Sequence, residues 1–182
     1  MSQQKTKMTE FTQLQELDPA STAQEAAPAI LGLEISPRLQ RASQVSEAID
    51  PTHTLPSVEI VNDPSTRVGR GSLVPRPSLI IYNGETIGRC TVVSDNMARA
   101  RWFNGIEVNE KGKGFGTAAY KTVIEQAMRD GYDFQTHEWS QTEGAKKVWE
   151  RLAQAGVARV EDEFTPDGNG KFNGRYVVDA VK

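Results

Sequence analysis

The chain has 182 residues, of which 37% are hydrophobic and 25% charged, and its formal net charge is −3 at pH 7. This length suits one domain with an appended segment. No stretch approaches the roughly 20 apolar residues of a membrane span, and the polar N-terminus lacks the apolar core of a signal peptide. The single cysteine, Cys90, forms no internal disulfide and supplies no metal cluster. We therefore expect a cytoplasmic protein with no membrane partner and no metal.

The charge is unevenly distributed along the chain. Residues 1–66 contain four Lys/Arg and nine Asp/Glu, whereas residues 67–182 contain seventeen and fifteen. Residues 67–182 are therefore nearly neutral and lack the concentrated basic face that binding to a nucleic-acid phosphate backbone requires. Nucleic acid is therefore not an expected partner.

Residues 1–66 predict a mostly disordered, acidic and polar arm. They contain one aromatic residue, Phe11, and are rich in Gln, Ser, Thr, Ala and Pro, so they offer little apolar surface to offset the entropy of ordering. Short helical patterns remain at 9–17 and 38–49. The proline-rich stretch ahead of Ser78 predicts an extended linker over 67–77, and the folded domain is expected over 78–182.

From Ser78 the sequence predicts alternating strands and helices. SLIIYNGETIGRCTVVS indicates a hairpin through Asn83-Gly84. ARARWFNGIEVN indicates a third strand with Trp102, Ile106 and Val108 on one side, and its Gly105 is typical of a β-bulge.

The rest of the chain supplies two helices and three strands. Apolar rows at i, i+4 predict a helix over 115–130 that ends at Gly131. YDFQTHEW indicates a strand, 142–155 an amphipathic helix, and VARVEDEF and GRYVVDAV two final strands. The order β-β-β-α-β-α-β-β predicts an α/β (α+β) domain with a single mixed, largely antiparallel sheet and crossover helices.

The stretch NEKGKGFGTAAY places glycines at 112, 114 and 116, between the third strand and the first of these helices. Such a turn points several backbone N–H groups at one spot, where the helix dipole favours a phosphate. The P-loop pattern fails because Gly114 stands where Ser or Thr is needed, and the dinucleotide fingerprint fails at Thr117. A tight turn without a ligand remains the alternative.

The run from Lys111 to Gly116 resembles the cofactor motif [RQ]-x-x-G-x-[GA] of the GNAT superfamily of N-acetyltransferases. The resemblance covers about residues 78–182 and implies an acyl-CoA N-acyltransferase-like fold that binds acetyl-CoA. In that family the loop amides bind the pyrophosphate, and the preceding strand pairs with the pantetheine arm. The cofactor-binding residues so implied are Ile106, Val108, Lys111, Gly112, Lys113, Gly114, Phe115, Gly116 and Thr117.

The sequence departs from the family pattern in three ways. Lys111 replaces the usual Arg or Gln, and its ammonium still suits a phosphate. Trp149 stands where many members have a tyrosine that protonates the departing thiolate, which leaves that role unfilled. The family's first strand and first two helices, which shape the acceptor pocket, are not recognisable.

Amide formation needs a proton acceptor and a stabilised oxyanion. The resemblance makes the Val108 N–H the oxyanion donor, and Glu107 beside it is a candidate base. His137 is a candidate base or acid because imidazole titrates near neutral pH. An exposed strand carboxylate and a structural histidine are the alternatives for these two residues, while Cys90 and Tyr120 are expected in the core.

The predicted function is acetyl-CoA-dependent transfer of an acetyl group to a primary amine of a small molecule or protein. Direct attack in a ternary complex is expected because no acyl-carrying nucleophile is evident. The alternative is an inactive GNAT-like binding module that acts in a larger assembly through its N-terminal arm. The acceptor, the protein partner of the arm and the choice between monomer and homodimer stay open.

Overall fold

The structure, a computed structural model, describes residues 35–66, 71–137 and 141–181. One compact unit extends from Ile35 to Lys182. In chain order its elements are α1 (Pro37–Ile49), β1 (Glu59–Asn62), β2 (Leu73–Tyr82), β3 (Glu85–Asp95), β4 (Ala100–Val108), α2 (Phe115–Asp130), β5 (Asp133–Gln135), α3 (Glu143–Gln154), β6 (Arg159–Pro166) and β7 (Phe172–Val178). Among the residues that the structure describes, no helix has the length and apolar character that a bilayer-crossing segment requires.

The strands form one seven-stranded sheet with the order β1-β2-β3-β4-β5-β7-β6. Every neighbouring pair is antiparallel except β4 and β5, which are parallel and are joined by the crossover helix α2. This confirms the predicted fold class and, from β2 onward, the predicted order of elements. The hairpin between β2 and β3 also turns as predicted, through Asn83 (φ 51°) and Gly84 (φ 82°).

The ordered domain begins earlier than the sequence predicted. Helix α1 and strand β1 lie within the expected arm, and β2 starts inside the expected 67–77 linker. Ala42, Val45 and Ile49 of α1 are buried in the core. The helix itself matches the helical pattern expected at 38–49. Average composition concealed only that it belongs to the core, since a helix needs only a few apolar residues at spacings of three and four to bury one face. The helical pattern at 9–17 lies outside the described residues.

Strand β2 tolerates two prolines because of where they lie. Pro75 and Pro77 pair with β3, whereas the pairing of β2 with β1 begins only at Ser78. Among the described residues, that edge of β2 therefore has no strand partner at the prolines, and their missing N–H groups break no ladder bond there.

The three helices and the sheet enclose one apolar core. Its most deeply buried side chains include Val45, Ile49, Ile80, Ile124, Met128, Phe134, Val148, Trp149, Leu152 and Val178.

A β-bulge in β4 changes which face its side chains occupy. Cys90 pairs with Ile106 and Val92 with Phe103, so two residues of β4 oppose one residue of β3. The bulge falls at Gly105, as predicted, where φ is 107°. It places Trp102 on the face opposite Ile106. The expectation that Trp102, Ile106 and Val108 share a side is therefore wrong, because it assumed unbroken alternation.

Candidate functional site

A gap opens between β4 and β5 soon after they begin to pair. The two strands pair only through Ala100 with Asp133 and Arg101 with Phe134. Strand β4 then continues to Val108, whereas the Thr136 N–H, just beyond β5, donates to the Tyr176 carbonyl at 3.0 Å. In the described part of the chain, the β5-facing edge of β4 therefore lacks a strand partner from residue 102 onward. Six residues separate the end of that edge, at Val108, from the start of helix α2.

The backbone of β4 presents the Val108 N–H to this gap. The Asn109 N–H donates to the Ile87 carbonyl of β3 at 2.8 Å, and the Glu107 carbonyl packs so tightly on Gly88 that a Cβ there would collide with it. Since backbone groups alternate in direction along a strand, Val108 points away from β3. This is the orientation that the expected oxyanion role requires.

The three loop glycines have different structural explanations. Gly112 and Gly114 have φ values of 82° and 79°, which favour glycine over other residues. A Cβ on Gly114 would also lie 3.1 Å from Leu55 Cδ2. Gly116 has no positive φ, and a Cβ there would meet no atom within 4 Å. Neither turning nor packing within the described chain therefore requires a glycine at this position. Glycine in a helix also lowers stability by about 1 kcal/mol relative to alanine.

The N-terminus of α2 carries an uncompensated positive potential. Its N-cap is Gly114, no side chain caps it, and its first turn contains no acidic residue. The first N–H groups of a helix lack intrahelical partners and carry the positive end of the dipole. Phe115 anchors the turn by packing on Tyr82, with ring centroids 5.0 Å apart. The result is a fixed cluster of donors at the mouth of the gap.

Two lysines flank this cluster in different states. Lys113 forms an ion pair with Glu110, and the hydrogen bond from this pair raises the pKa of Lys113. Lys111 is exposed, and no described residue forms an ion pair with it. Its ammonium is thus the one of the two that is available to a phosphate.

Glu107 lies on β4, on one side of the gap, and His137 follows β5, on the other side. Glu107 is exposed, on the same face as Trp102, and pairs in register with Arg89 of β3. His137 follows β5 and is half-buried, and its ring centroid lies 6.3 Å from that of Trp102. Its carbonyl accepts a hydrogen bond from Gln141 Nε2 at 3.1 Å. The roles of both residues in proton transfer stay predictions.

Burial prevents Trp149, Tyr120 and Cys90 from acting as the general acid that would protonate the departing thiolate. Trp149 is 1% exposed and stacks on Phe134, with ring centroids 5.9 Å apart. Tyr120 packs edge-on against Phe103 at 4.6 Å, and burial raises its pKa. Burial also raises the pKa of Cys90 to about 12, so its thiol stays protonated at neutral pH.

A cavity of about 450 Å³ lies at the bulge of β4, on its border with β3. Glu107 lines it together with Asp63, Arg89, Thr91 and Asn104. Hydrogen bonds from Ser65 hold the pKa of Asp63 below its usual range. Sequence reasoning did not identify these other lining residues, and its only signal for them was Gly105, since a bulge re-aims its neighbours. Among the described residues, no group of three or more His, Cys, Asp and Glu could hold a metal ion.

No protein-family model and no curated protein matches the chain. Solved structures that it resembles include a Bacillus subtilis acetyltransferase in complex with CoA, at 17% identity over 59% of this chain and 78% of that one, with a TM-score of 0.42. A GNAT family acetyltransferase from Elizabethkingia anophelis with acetyl-CoA bound is 20% identical over 57% of this chain and 72% of that one, with a TM-score of 0.38. A putative N-acetyltransferase from Lactobacillus plantarum is 12% identical over 81% of this chain and 94% of that one, with a TM-score of 0.42. At these identities and TM-scores, the likeness assigns no activity or ligand to this chain.

Proposed function

We propose that this protein is an acetyl-CoA-dependent N-acetyltransferase that acts on a primary amine in the cytoplasm. The observation that carries the proposal is the uncapped N-terminus of α2, with the otherwise unexplained Gly116, at the mouth of the β4–β5 gap. The motif over residues 111–116 supports the same assignment. The gap and the loop together suit a long ligand that has a phosphate at one end and an extended, amide-bearing arm.

The chain's own groups fit the parts of coenzyme A. The N–H groups of residues 112–117 and the Lys111 ammonium would hold the pyrophosphate. The open edge of β4 would pair with the two amides of the pantetheine arm as an added strand does, with Val108 next to the reacting carbonyl. When bound, acetyl-CoA supplies an acetyl group activated as a thioester.

The proposed reaction is direct attack by the neutral amine on the thioester carbonyl. The new N–C bond forms as the C–S bond breaks, and the Val108 N–H stabilises the negative charge that develops on the carbonyl oxygen. Glu107 accepts the proton that the amine loses, either directly or through one water. The thiolate takes a proton from His137 or from water, since Tyr120 and Trp149 are buried in the core.

The cavity at the bulge is the proposed acceptor pocket. The Asp63 and Glu107 carboxylates face one guanidinium, that of Arg89, so the lining has an excess of one negative charge. This favours the capture of an amine in its ammonium form, which then loses a proton to become nucleophilic. Amines of small molecules and of proteins both meet this requirement.

The experiment that tests this function measures free thiol released from acetyl-CoA across a panel of primary amines. In Glu107→Gln we expect kcat/KM to fall about 10²- to 10⁴-fold, the usual contribution of a general base, while acetyl-CoA binding is retained. Glu85→Gln removes another exposed carboxylate, at the start of β3, and is expected to leave kcat/KM unchanged. Full activity in Glu107→Gln would contradict its role, and acetyl-CoA binding without turnover of any amine would instead support the inactive module.

A further inference from the structure

A second cavity, of about 280 Å³, lies between α2 and strands β1 to β4, and the proposed acetyl transfer does not use it. Thr122, Gln126 and Asp130 line it from one face of α2, from the middle of the helix to its C-terminus. At about 1.5 Å per residue, Asp130 lies about 22 Å along the helix from Phe115. The cavity is therefore separate from the glycine loop.

Two buried polar atoms of the residues that line this cavity have no hydrogen-bond partner within the described chain. They are Ser94 Oγ and Arg101 Nε. Ser94 is only 2% exposed, and it pairs in register with Arg101, so the two side chains stand next to each other on one face of the sheet. Buried donors without partners are costly and uncommon. Both belong to residues that line one cavity, which indicates a missing acceptor there.

Neighbouring groups fix the Arg101 guanidinium in place. Its Nη1 donates to Asp130 Oδ2 at 2.6 Å, and its plane lies over the Tyr132 ring at 4.2 Å. The other Asp130 oxygen accepts from Gln126 Nε2 at 2.8 Å. Asp130 is thus occupied by these two partners, while the Nε–H of Arg101 stays unpaired.

Arg76 supplies a further positive charge to the same cavity. It is exposed, and its guanidinium has no ion-pair or hydrogen-bond partner among the described residues. It pairs in register with Val92, two residues from Ser94 on the same face of the sheet, which is within reach of a long side chain. With Arg76 and Arg101 opposed by Asp130 alone, the lining carries an excess of one positive charge.

We propose that this cavity binds a small anion, a carboxylate or a phosphate. One of its oxygens accepts from Arg101 Nε and the Ser94 hydroxyl, and its charge pairs with Arg76. A water molecule satisfies the two donors but leaves the charge of Arg76 unpaired. The volume also exceeds the roughly 30 Å³ that one water occupies in the liquid. This inference does not depend on acetyl transfer.

The test follows the Arg101 Nε–H resonance by ¹H–¹⁵N NMR while inorganic phosphate, or acetate in a parallel series, is titrated at constant ionic strength. We expect a saturable shift with at least one anion. The anion that binds more tightly shows whether the cavity suits a phosphate or a carboxylate. Ser94→Ala and Arg76→Gln are expected to weaken binding at least tenfold each and to leave acetyl-CoA binding intact. Gly116→Asp, at the other end of α2, is expected to retain the phosphate or acetate response.

Three results would overturn the proposal. If neither phosphate nor acetate shifts the Arg101 Nε–H resonance, the cavity is filled by water. Equal affinities in wild type, Ser94→Ala and Arg76→Gln indicate nonspecific ionic effects. A phosphate response that disappears in Gly116→Asp places the anion at the glycine loop instead. Ser94→Ala removes a hydroxyl without a partner, so its folding is expected to survive, and unchanged thermal unfolding checks that.

Discussion

Trp149 occupies the position where the family resemblance places a tyrosine, and its surroundings explain what it does there. Its ring lies between Phe134 and Tyr176, with centroids 5.9 and 6.3 Å away. Its Nε1 has no hydrogen-bond partner within the described residues. The side chain therefore stabilises the domain by packing.

Two substitutions at Trp149 are therefore expected to differ in their effect on stability. Trp149→Phe loses some contact area but also removes a buried N–H without a partner, and such a group costs about 1–3 kcal/mol. We expect a net change in the free energy of unfolding below about 1.5 kcal/mol. Trp149→Ala opens a cavity and is expected to cost about 3–5 kcal/mol. Urea unfolding of both variants checks this, and a large loss in Trp149→Phe would show that the indole N–H is bonded.

The residue-scale chemistry was only partly predictable from sequence. Glycine spacing identified the loop, but it could not separate Gly116, which nothing nearby explains, from Gly112 and Gly114, whose φ values require glycine. That distinction depends on backbone angles and neighbouring atoms. The unpaired donors of Ser94 and Arg101 likewise have no sequence signature, because they arise from the packing of α2 over the sheet.

At the scale of elements, Asp50 joins the end of α1 to α2. Its Oδ1 accepts from the Thr54 N–H at 2.9 Å, and its Oδ2 accepts from Lys121 Nζ at 3.1 Å. Burial alone would raise the pKa of Asp50, but these hydrogen bonds outweigh it and hold the pKa below its usual 3.8. The carboxylate thus stabilises the fold in its ionised form.

The sign of this pKa shift gives a pH prediction. Because the folded-state pKa lies below the unfolded value, the contribution of Asp50 is complete above about pH 4 and disappears as pH falls through the folded value. We expect Asp50→Asn to have a lower Tm than wild type at pH 7, with the difference shrinking below pH 4. Thermal unfolding from pH 7 to 2 measures it. A difference that stays constant over that range would contradict the account, and Glu85→Gln serves as the exposed control.

Strong local signals made most elements predictable. Helix α2 has the predicted bounds, Phe115–Asp130, because its apolar rows are regular and Gly131 ends it. The early start of β2 was missed because Pro75 and Pro77 are typical of linkers, and only the edge geometry shows why they fit. The predicted face of Trp102 was wrong because a glycine can indicate a bulge but does not show the strand register beyond it.

At the scale of the whole molecule, the compact unit that the structure describes starts at Ile35. Burial of Val45 and Ile49 of α1 is worth about 1.5–3 kcal/mol each, a large share of the 5–15 kcal/mol by which domains are stable. A fragment of residues 78–182, the boundary that composition predicted, loses α1, β1 and the first half of β2.

We therefore expect a fragment of residues 35–182 to unfold cooperatively and a fragment of residues 78–182 not to do so. Thermal unfolding followed by circular dichroism measures both. Cooperative unfolding of the shorter fragment would show that α1 and β1 are dispensable. Failure of the longer fragment would show that residues before Ile35 are needed for folding.

The proposed function depends on the glycine loop as a cofactor site, and Gly116 gives the sharpest test of it. Alanine and aspartate both improve a helix's first turn, by propensity and by charge respectively, so both variants are expected to fold. Gly114 is less useful because its φ of 79° and its contact with Leu55 penalise any side chain. Only Gly116→Asp places bulk and negative charge where a pyrophosphate would lie.

The decisive measurement is Tm during titration with acetyl-CoA. For wild type we expect Tm to rise, since a ligand that binds only the folded state stabilises it by about 2.7 kcal/mol at one hundred times its Kd. For Gly116→Ala, whose methyl group takes up part of the space that the bare backbone leaves to a ligand, we expect a smaller rise. For Gly116→Asp we expect little or no rise. An unchanged Tm in the wild type at millimolar acetyl-CoA, or an equal rise in Gly116→Asp, would contradict the assignment of this loop.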